Sequence, residues 1–223
     1  MNAPILFFAA GLGTRMGVLV KDKPKPLVKV AGRALIDHAL DLAEIPQVER
    51  RVVNIHYRAN MITEHLRNRA VVFSDETTQL LETGGGLKKA IPALKGNPVL
   101  TMNTDAVWKG PNPIKFLLES WKDHMEALLV LVPKDRAVGH SGRGDFNILD
   151  NGQLERAPGP VYTGLQMIRT DCFANIEETA FSMNVVWDQI AARGGLFGCL
   201  YDGGWCDVGQ PDSIPLAEAM LDV

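Results

Sequence analysis

Ile5-Leu6-Phe7-Phe8-Ala9-Ala10-Gly11-Leu12-Gly13-Thr14-Arg15-Met16 is the stretch that decides the fold. Pro4–Ala9 is apolar without alternation, the pattern of a parallel strand buried on both faces. It runs into small residues and then a cation. Small residues let backbone N–H groups approach phosphate oxygens, and Arg15 supplies fixed charge. A second cation follows in Lys23-Pro24-Lys25-Pro26-Leu27. The prolines on either side restrict the backbone of Lys25, which lowers the entropy lost on holding an anion. Lys21 and Lys23 read as a solvated loop face. A dinucleotide fingerprint needs a third glycine in register, and a Walker loop needs Gly-Lys followed by Ser or Thr; the stretch has neither.

Outward from this loop, apolar runs alternate with helical spacings. Arg51–Ile55, Val71–Ser74, Pro98–Met102, Ala127–Val132 and Tyr162–Arg169 read as strands. Leu35–Glu44, Asn60–Arg69 with Asn60 as its cap, Gly86–Leu94 interrupted near Pro92, Pro113–His124, Ser182–Arg193 and Ser213–Leu221 read as helices. Asp145–Leu149 and Gln153–Ala157 flank Asn151-Gly152, a hairpin signal. Leu196–Tyr201 and Trp205–Val208 are short strands around Gly203-Gly204. The alternation predicts an α/β fold, doubly wound on a mainly parallel sheet, with a smaller β-rich part late in the chain. The expectation is one domain over 1–223, with a nucleotide-binding part at about 1–110 and a second part at about 111–223. Ligands of such sheets bind beyond the carboxyl ends of the strands, so Gly11–Arg15 and Asp105 are expected to face one crevice.

The totals exclude several classes. A chain of 223 residues with 46% hydrophobic and 22% charged residues can bury a sizeable core. The net charge of −3 offers no global attraction to nucleic acid or anionic lipid. No basic stripe with interleaved aromatics exists, so neither nucleic acid nor a membrane is an expected partner, and no protein partner is evident. Cys172, Cys199 and Cys206 form no Cys-x-x-Cys pair and no disulfide framework, which points to a reduced cytoplasm. The five histidines show no zinc spacing. Pro4–Ala10 is far shorter than the roughly 20 residues that cross a bilayer.

Two aspartates stand where a metal could sit. Asp105 follows the strand Pro98–Met102, and Asp207 lies in Trp205-Cys206-Asp207-Val208-Gly209. Mg²⁺ held with a nucleotide needs only one or two carboxylates. An aspartate after a strand also serves as a plain helix cap. Leu81-Glu82-Thr83-Gly84-Gly85-Gly86 sets three glycines ahead of Leu87, a poor start for a helix unless something approaches the backbone closely.

Taken together, Gly11-Leu12-Gly13-Thr14-Arg15 and Pro24-Lys25-Pro26-Leu27 resemble the first signature of the sugar-1-phosphate nucleotidyltransferases. The resemblance extends from Ala9 to Gly209, and everything in this paragraph is what it implies. The fold would be Rossmann-like, with a small β-rich sugar-binding part. Arg15 and Lys25 would be catalytic. Ala10, Gly11, Gly13, Thr14, Glu82, Gly84, Gly85 and Asn103 would bind the nucleotide, and Asp105 and Asp207 would hold Mg²⁺. Asn103-Thr104-Asp105 departs from the family's Asn-Gly-Asp turn at Thr104. Tyr162-Thr163-Gly164 matches a sugar-contacting strand, which makes Thr163 and Gly164 sugar-binding candidates. The Leu-Glu-Thr-Gly-Gly form is similar to the branch of the N-acetylmuramate-1-phosphate uridylyltransferases and the mannose- and heptose-1-phosphate guanylyltransferases. Gly142-Arg143-Gly144-Asp145-Phe146 resembles the muramate side of that branch, with Arg143 and Asp145 toward the sugar. UTP and N-acetylmuramate-1-phosphate are thus the favoured substrates, a guanylyltransferase is the alternative, and a non-catalytic nucleotide-sugar sensor is a second. The stretch Glu155-Arg156-Ala157-Pro158-Gly159-Pro160 lacks the family's Glu-Lys-Pro lysine, which leaves the residue that holds the sugar phosphate open.

Overall fold

A computed structural model describes residues 1–222. Seven strands form the main sheet: β1 (Ala3–Phe8), β2 (Val48–Ile55), β3 (Val72–Asp75), β4 (Val99–Asn103), β5 (Ala127–Val132), β6 (Val161–Ile168) and β7 (Leu196–Leu200). Their order is β7-β5-β6-β4-β1-β2-β3. β1 lies parallel between β2 and β4, and β3 extends the parallel half. β6 runs antiparallel to both β4 and β5, and β7 is parallel to β5. Every strand but β6 therefore points the same way, which is the mainly parallel α/β sheet read from the sequence.

The sheet is covered on both faces, because its strands are apolar on both. Ile5 and Phe7 of β1 join one core with Val53 of β2. Helices α1 (Leu35–Leu42), α2 (Ala59–His65) and α4 (Pro113–Ser120) pack there through Leu40, Ile62 and Leu117. Leu6 and Val52 face the other way, under α3 (Glu82–Leu94) and α5 (Met183–Ala192) through Leu87 and Ile190. A third, smaller core sits beneath the sheet of Ala106–Lys109, Gly204–Asp207 and Ala137–Val138, where Met16, Val107 and Cys206 meet Ala217 of α6 (Ser213–Leu221). Met16 thereby anchors the loop after β1. The predicted hairpin forms, with Phe146–Ile148 antiparallel to Leu154–Arg156.

Four local readings change. Asn60 is not the cap of α2: the helix starts at Ala59, and Arg58 takes the cap position at φ 50°. The glycines Gly84–Gly86 do not precede α3 but lie inside it, and the helix continues through Pro92. α4 ends at Ser120, because Trp121 turns extended. The reason for the glycines is packing. A Cβ on Gly84 would strike the Phe181 ring, and one on Gly85 would strike the carbonyl of Thr179. The close approach is between this helix and the chain leading into α5.

Candidate active site

The carboxyl ends of β1, β2, β3 and β4 open on one cleft of about 320 Å³, within the range of small-molecule sites. Its floor is the loop after β1. The N–H groups of Ala9 and Ala10 both donate to Asn54 Oδ1, at 2.6 and 3.2 Å. The N–H of Ala10 is thus engaged inside the protein. The next residues are open: Gly11 is exposed, with nothing within 4 Å of where its Cβ would be. Gly13 has φ +65°, and a Cβ there would lie 2.7 Å from Cβ of Lys25. Backbone conformation and the lysine stem both require glycine at that point. Thr14 and Arg15 follow, exposed on the cleft wall.

Lys25 enters from below. Pro24 is extended, and the N–H of Leu27 closes a turn back to its carbonyl at 2.9 Å. The lysine is buried, and its Nζ donates to Asp105 Oδ2 at 2.7 Å. Asp105 is set by its neighbours. Thr104 Oγ1 donates to the carbonyl of Phe8 at 2.8 Å, which ties the end of β4 to the end of β1. The hydroxyl thus gives this turn a fastening that glycine lacks. The N–H of Val208 donates to the carbonyl of Asp105 at 2.8 Å, and Asp207 pairs with Ala106 across the small sheet. The two aspartates predicted for the metal are brought side by side.

Burial and the neighbouring Asp105 charge push the Asp207 carboxyl above its ordinary range, while Lys25, Arg15 and His140 pull the other way. Gly209 keeps the space beside them open: a Cβ there would lie 3.0 Å from Asp207 Oδ2 and 3.3 Å from Arg15 Nη1. Two neighbouring carboxylates of hard oxygen, unrelieved by a third acidic, histidine or cysteine ligand among the described residues, fit a divalent cation that takes its other oxygens from water and phosphate. Arg15 and Lys25 flank the same point.

Glu82 and Thr83, at the start of α3, line the cleft. Asn103 lines it from the end of β4 and rests on Gly164. Gly164 has φ +84°, and a Cβ there would sit 2.6 Å from Asn103 Cγ. This glycine makes the bulge where the pairing of β6 with β5 shifts register. The predicted residues that the structure does not bring to the cleft are equally clear. Gly84 and Gly85 are buried against the segment 179–181. The Thr163 hydroxyl donates to the carbonyl of Val130 at 2.8 Å, deep in the sheet. Asp145 accepts the N–H of Tyr162 at 2.8 Å, and Arg143 is exposed on the loop before it.

Sequence reasoning missed Asn54 and Glu76. Both line the cleft and both are buried. Asn54 Nδ2 donates to Glu76 Oε1 at 2.8 Å, and burial pushes the Glu76 carboxyl up. The signal was present: one amide inside the apolar run Val52-Val53-Asn54-Ile55 demands buried partners.

Comparison with known proteins agrees with this architecture. Residues 5–195 match the MobA-like NTP transferase domain. The N-acetylmuramate alpha-1-phosphate uridylyltransferase of Caulobacter vibrioides is 37% identical, over 97% of this chain and 96% of the relative. That of Neisseria meningitidis serogroup B is 29% identical, over 99% of this chain and 98% of the relative. In three dimensions the inositol-1-phosphate CTP transferase of T. maritima superposes with a TM-score of 0.80, at 13% identity over 99% of this chain and 95% of that one, a likeness of fold alone. No helix among the described residues is long and apolar enough to cross a membrane. The match over residues 5–195, with the 37% identity over nearly the whole chain, leads to one statement: the protein belongs to the MobA-like NTP transferase family.

Proposed function

We propose that the protein is a sugar-1-phosphate uridylyltransferase, which joins UTP to N-acetylmuramate-1-phosphate and releases pyrophosphate. The observation that carries the reaction class is the gathering of Arg15, Lys25, Asp105 and Asp207 about the loop after β1. The choice of base and sugar rests on the Caulobacter and Neisseria relatives, whose names state it and whose full lengths this chain matches.

A phosphate oxygen of the sugar-1-phosphate attacks the α-phosphorus of UTP. The new O–P bond forms as the bond from the α-phosphorus to the bridging oxygen breaks, and that oxygen leaves with pyrophosphate. The nucleophile is already ionised, so no general base is needed. The obstacles are repulsion between two anions and the charge that builds on the leaving group, and positioned cations oppose both. The backbone at Gly11–Thr14 cradles the triphosphate. Arg15 stabilises the departing pyrophosphate, and Lys25 draws the phosphates into line. Asp105 and Asp207 would hold Mg²⁺, which when bound screens the phosphate oxygens of both reactants. Asn103 and Glu82 border the nucleotide, and Gly164, packed against Asn103, marks the side left for the sugar. The product suits cytoplasmic recycling of peptidoglycan.

The test is pyrophosphate release with Mg²⁺, crossing UTP, GTP, CTP and dTTP with N-acetylmuramate-, N-acetylglucosamine-, glucose- and mannose-1-phosphate. Turnover confined to UTP with N-acetylmuramate-1-phosphate is the expected result. Turnover with GTP and mannose-1-phosphate would replace the substrates. Equal inertness of wild type and Asp105→Asn over the whole panel would remove the enzymatic reading.

A further inference from the structure

The buried pair beneath the phosphate loop has a direction built into it. Asn54 Oδ1 accepts two successive N–H groups, from Ala9 and Ala10. Its amide can do this in one orientation only, because the flipped amide would set an NH₂ group against two N–H donors. That orientation needs an acceptor for Nδ2, and Glu76 Oε1 supplies it at 2.8 Å. Glu76 is itself held on several sides. Its N–H donates to the carbonyl of Ile55 at 2.8 Å, while its carbonyl accepts from the N–H of Gln79 at 3.0 Å and pairs with His56 Nδ1 at 2.6 Å. Glu76 is 1% exposed and Asn54 2%. The third glycine of α3 belongs to this arrangement: a Cβ on Gly86 would lie 2.8 Å from Glu76 Oε1 and 3.1 Å from Asn54 Nδ2. One chain of contacts thus runs from α3 through the ends of β3 and β2 to the loop after β1.

We propose that Glu76 is a positioning residue for the nucleotide, acting through Asn54. It fixes the Asn54 amide, which closes the N–H groups of Ala9 and Ala10 and thereby presents the following turn, Gly11–Thr14, to the triphosphate. This rests on the reading of the cleft as the NTP site.

The pair can be tested by reversing its polarity. In Asn54→Asp two carboxyls meet with no N–H between them. In the double variant Asn54→Asp/Glu76→Gln the introduced glutamine amide donates to the new carboxylate, and both N–H groups of the loop keep an acceptor. In Glu76→Gln alone the amide oxygen still accepts from Asn54. UTP binding is measured by calorimetry with Mg²⁺ and no sugar phosphate, with circular dichroism and thermal melts as the check of folding. Asn54→Asp is expected to weaken UTP by about tenfold to a hundredfold and to raise its KM while leaving the KM for the sugar phosphate unchanged. Glu76→Gln and the double variant are expected within about threefold of wild type, a difference below the tenfold worth of one hydrogen bond. If Asn54→Asp does not fold, the folded double variant decides the matter by the same criterion. The proposal is overturned if Asn54→Asp binds UTP as wild type does, or if the folded double variant stays weak. It is also overturned if folded Glu76→Gln loses UTP, since Glu76 would then touch the nucleotide itself. A wild type that binds no nucleotide at all sinks the cleft reading and this inference together, whereas a binding wild type with unresponsive variants sinks this inference alone.

Discussion

Lys25 Nζ lies 2.7 Å from Asp105 Oδ2, with the lysine side chain only 9% exposed. The cation proposed for phosphate thus pairs with the carboxylate proposed for the metal. On the proposed reading, lysine and divalent cation would compete for that oxygen. Lys25→Met is expected to tighten Mn²⁺ binding to the nucleotide-free protein by about tenfold, the worth of one charge-assisted hydrogen bond. Electron paramagnetic resonance of free Mn²⁺ reads this directly. Equal Mn²⁺ affinities would mean that the ion pair does not guard the site.

The same variant should also lose stability, by about 1–3 kcal/mol, because a partly buried carboxylate loses its partner. For a domain of this size that lowers Tm by roughly 2–4 °C per kcal/mol. Arg15 differs: it is exposed and forms no ion pair among the described residues. Arg15→Ala is expected to lower kcat by about 10²–10³ with an unchanged melt. A melt that falls with the rate would make Arg15 a structural residue.

Chelation separates chemistry from fold. EDTA should abolish turnover, and added Mg²⁺ should restore it. Asp105→Asn should lack activity at any Mg²⁺ concentration while remaining folded by circular dichroism. Full activity in EDTA would remove the metal from Asp105 and Asp207.

Gly85 distinguishes packing from nucleotide contact. Its Cβ would meet the carbonyl of Thr179 rather than the cleft. Gly85→Ala is expected to cost about 1–3 kcal/mol through overpacking, seen as a lower Tm, with the KM for UTP unchanged. A raised KM at an unchanged Tm would return this glycine to the nucleotide.

Glu76 gives a pH signature. Burial, opposed by the hydrogen bond from Asn54, leaves its carboxyl above the ordinary glutamate value. The folded state then holds its proton more tightly than the unfolded chain does. The associated stability is fully present below the unfolded glutamate pKa and is lost as pH rises through the folded one. Glu76→Gln cannot titrate, so the Tm of wild type should fall relative to that of the variant as pH rises across that window. A difference independent of pH would show that the buried carboxyl does not titrate differently on folding.

The legible parts of this protein were those written in consecutive residues. β1 and β5 are continuous apolar runs, and burial on both faces follows from that alone. Gly13, Arg15, Lys25, Asp105 and Asp207 could be placed because each stands beside a strand end or a proline, and strand ends share one edge of a parallel sheet. What was hidden depends on partners distant in sequence. Nothing local to Val161–Ile168 says that it inserts antiparallel between β4 and β5, since neighbours in a sheet are chosen by the whole fold. The glycines of α3 read as lying ahead of the helix because helix propensity disfavours them, and only Phe181 and Thr179, far along the chain, explain why bulk is excluded there. Thr163 and Asp145 looked available because the sequence does not show that Val130 and Tyr162 already claim them.

The reversal of β6 has a further consequence. Among the described residues it is the only strand of the main sheet whose amino end, not its carboxyl end, lies at the sheet edge where the cleft opens. The hairpin Phe146–Ile148 with Leu154–Arg156 leads into that end. Insertions or deletions in the hairpin are therefore absorbed before the chain enters the sheet, without shifting the strand ends that carry Gly13, Asn54 and Asp105. The turn between the hairpin strands is thus free to change length while the loop after β1 stays in register.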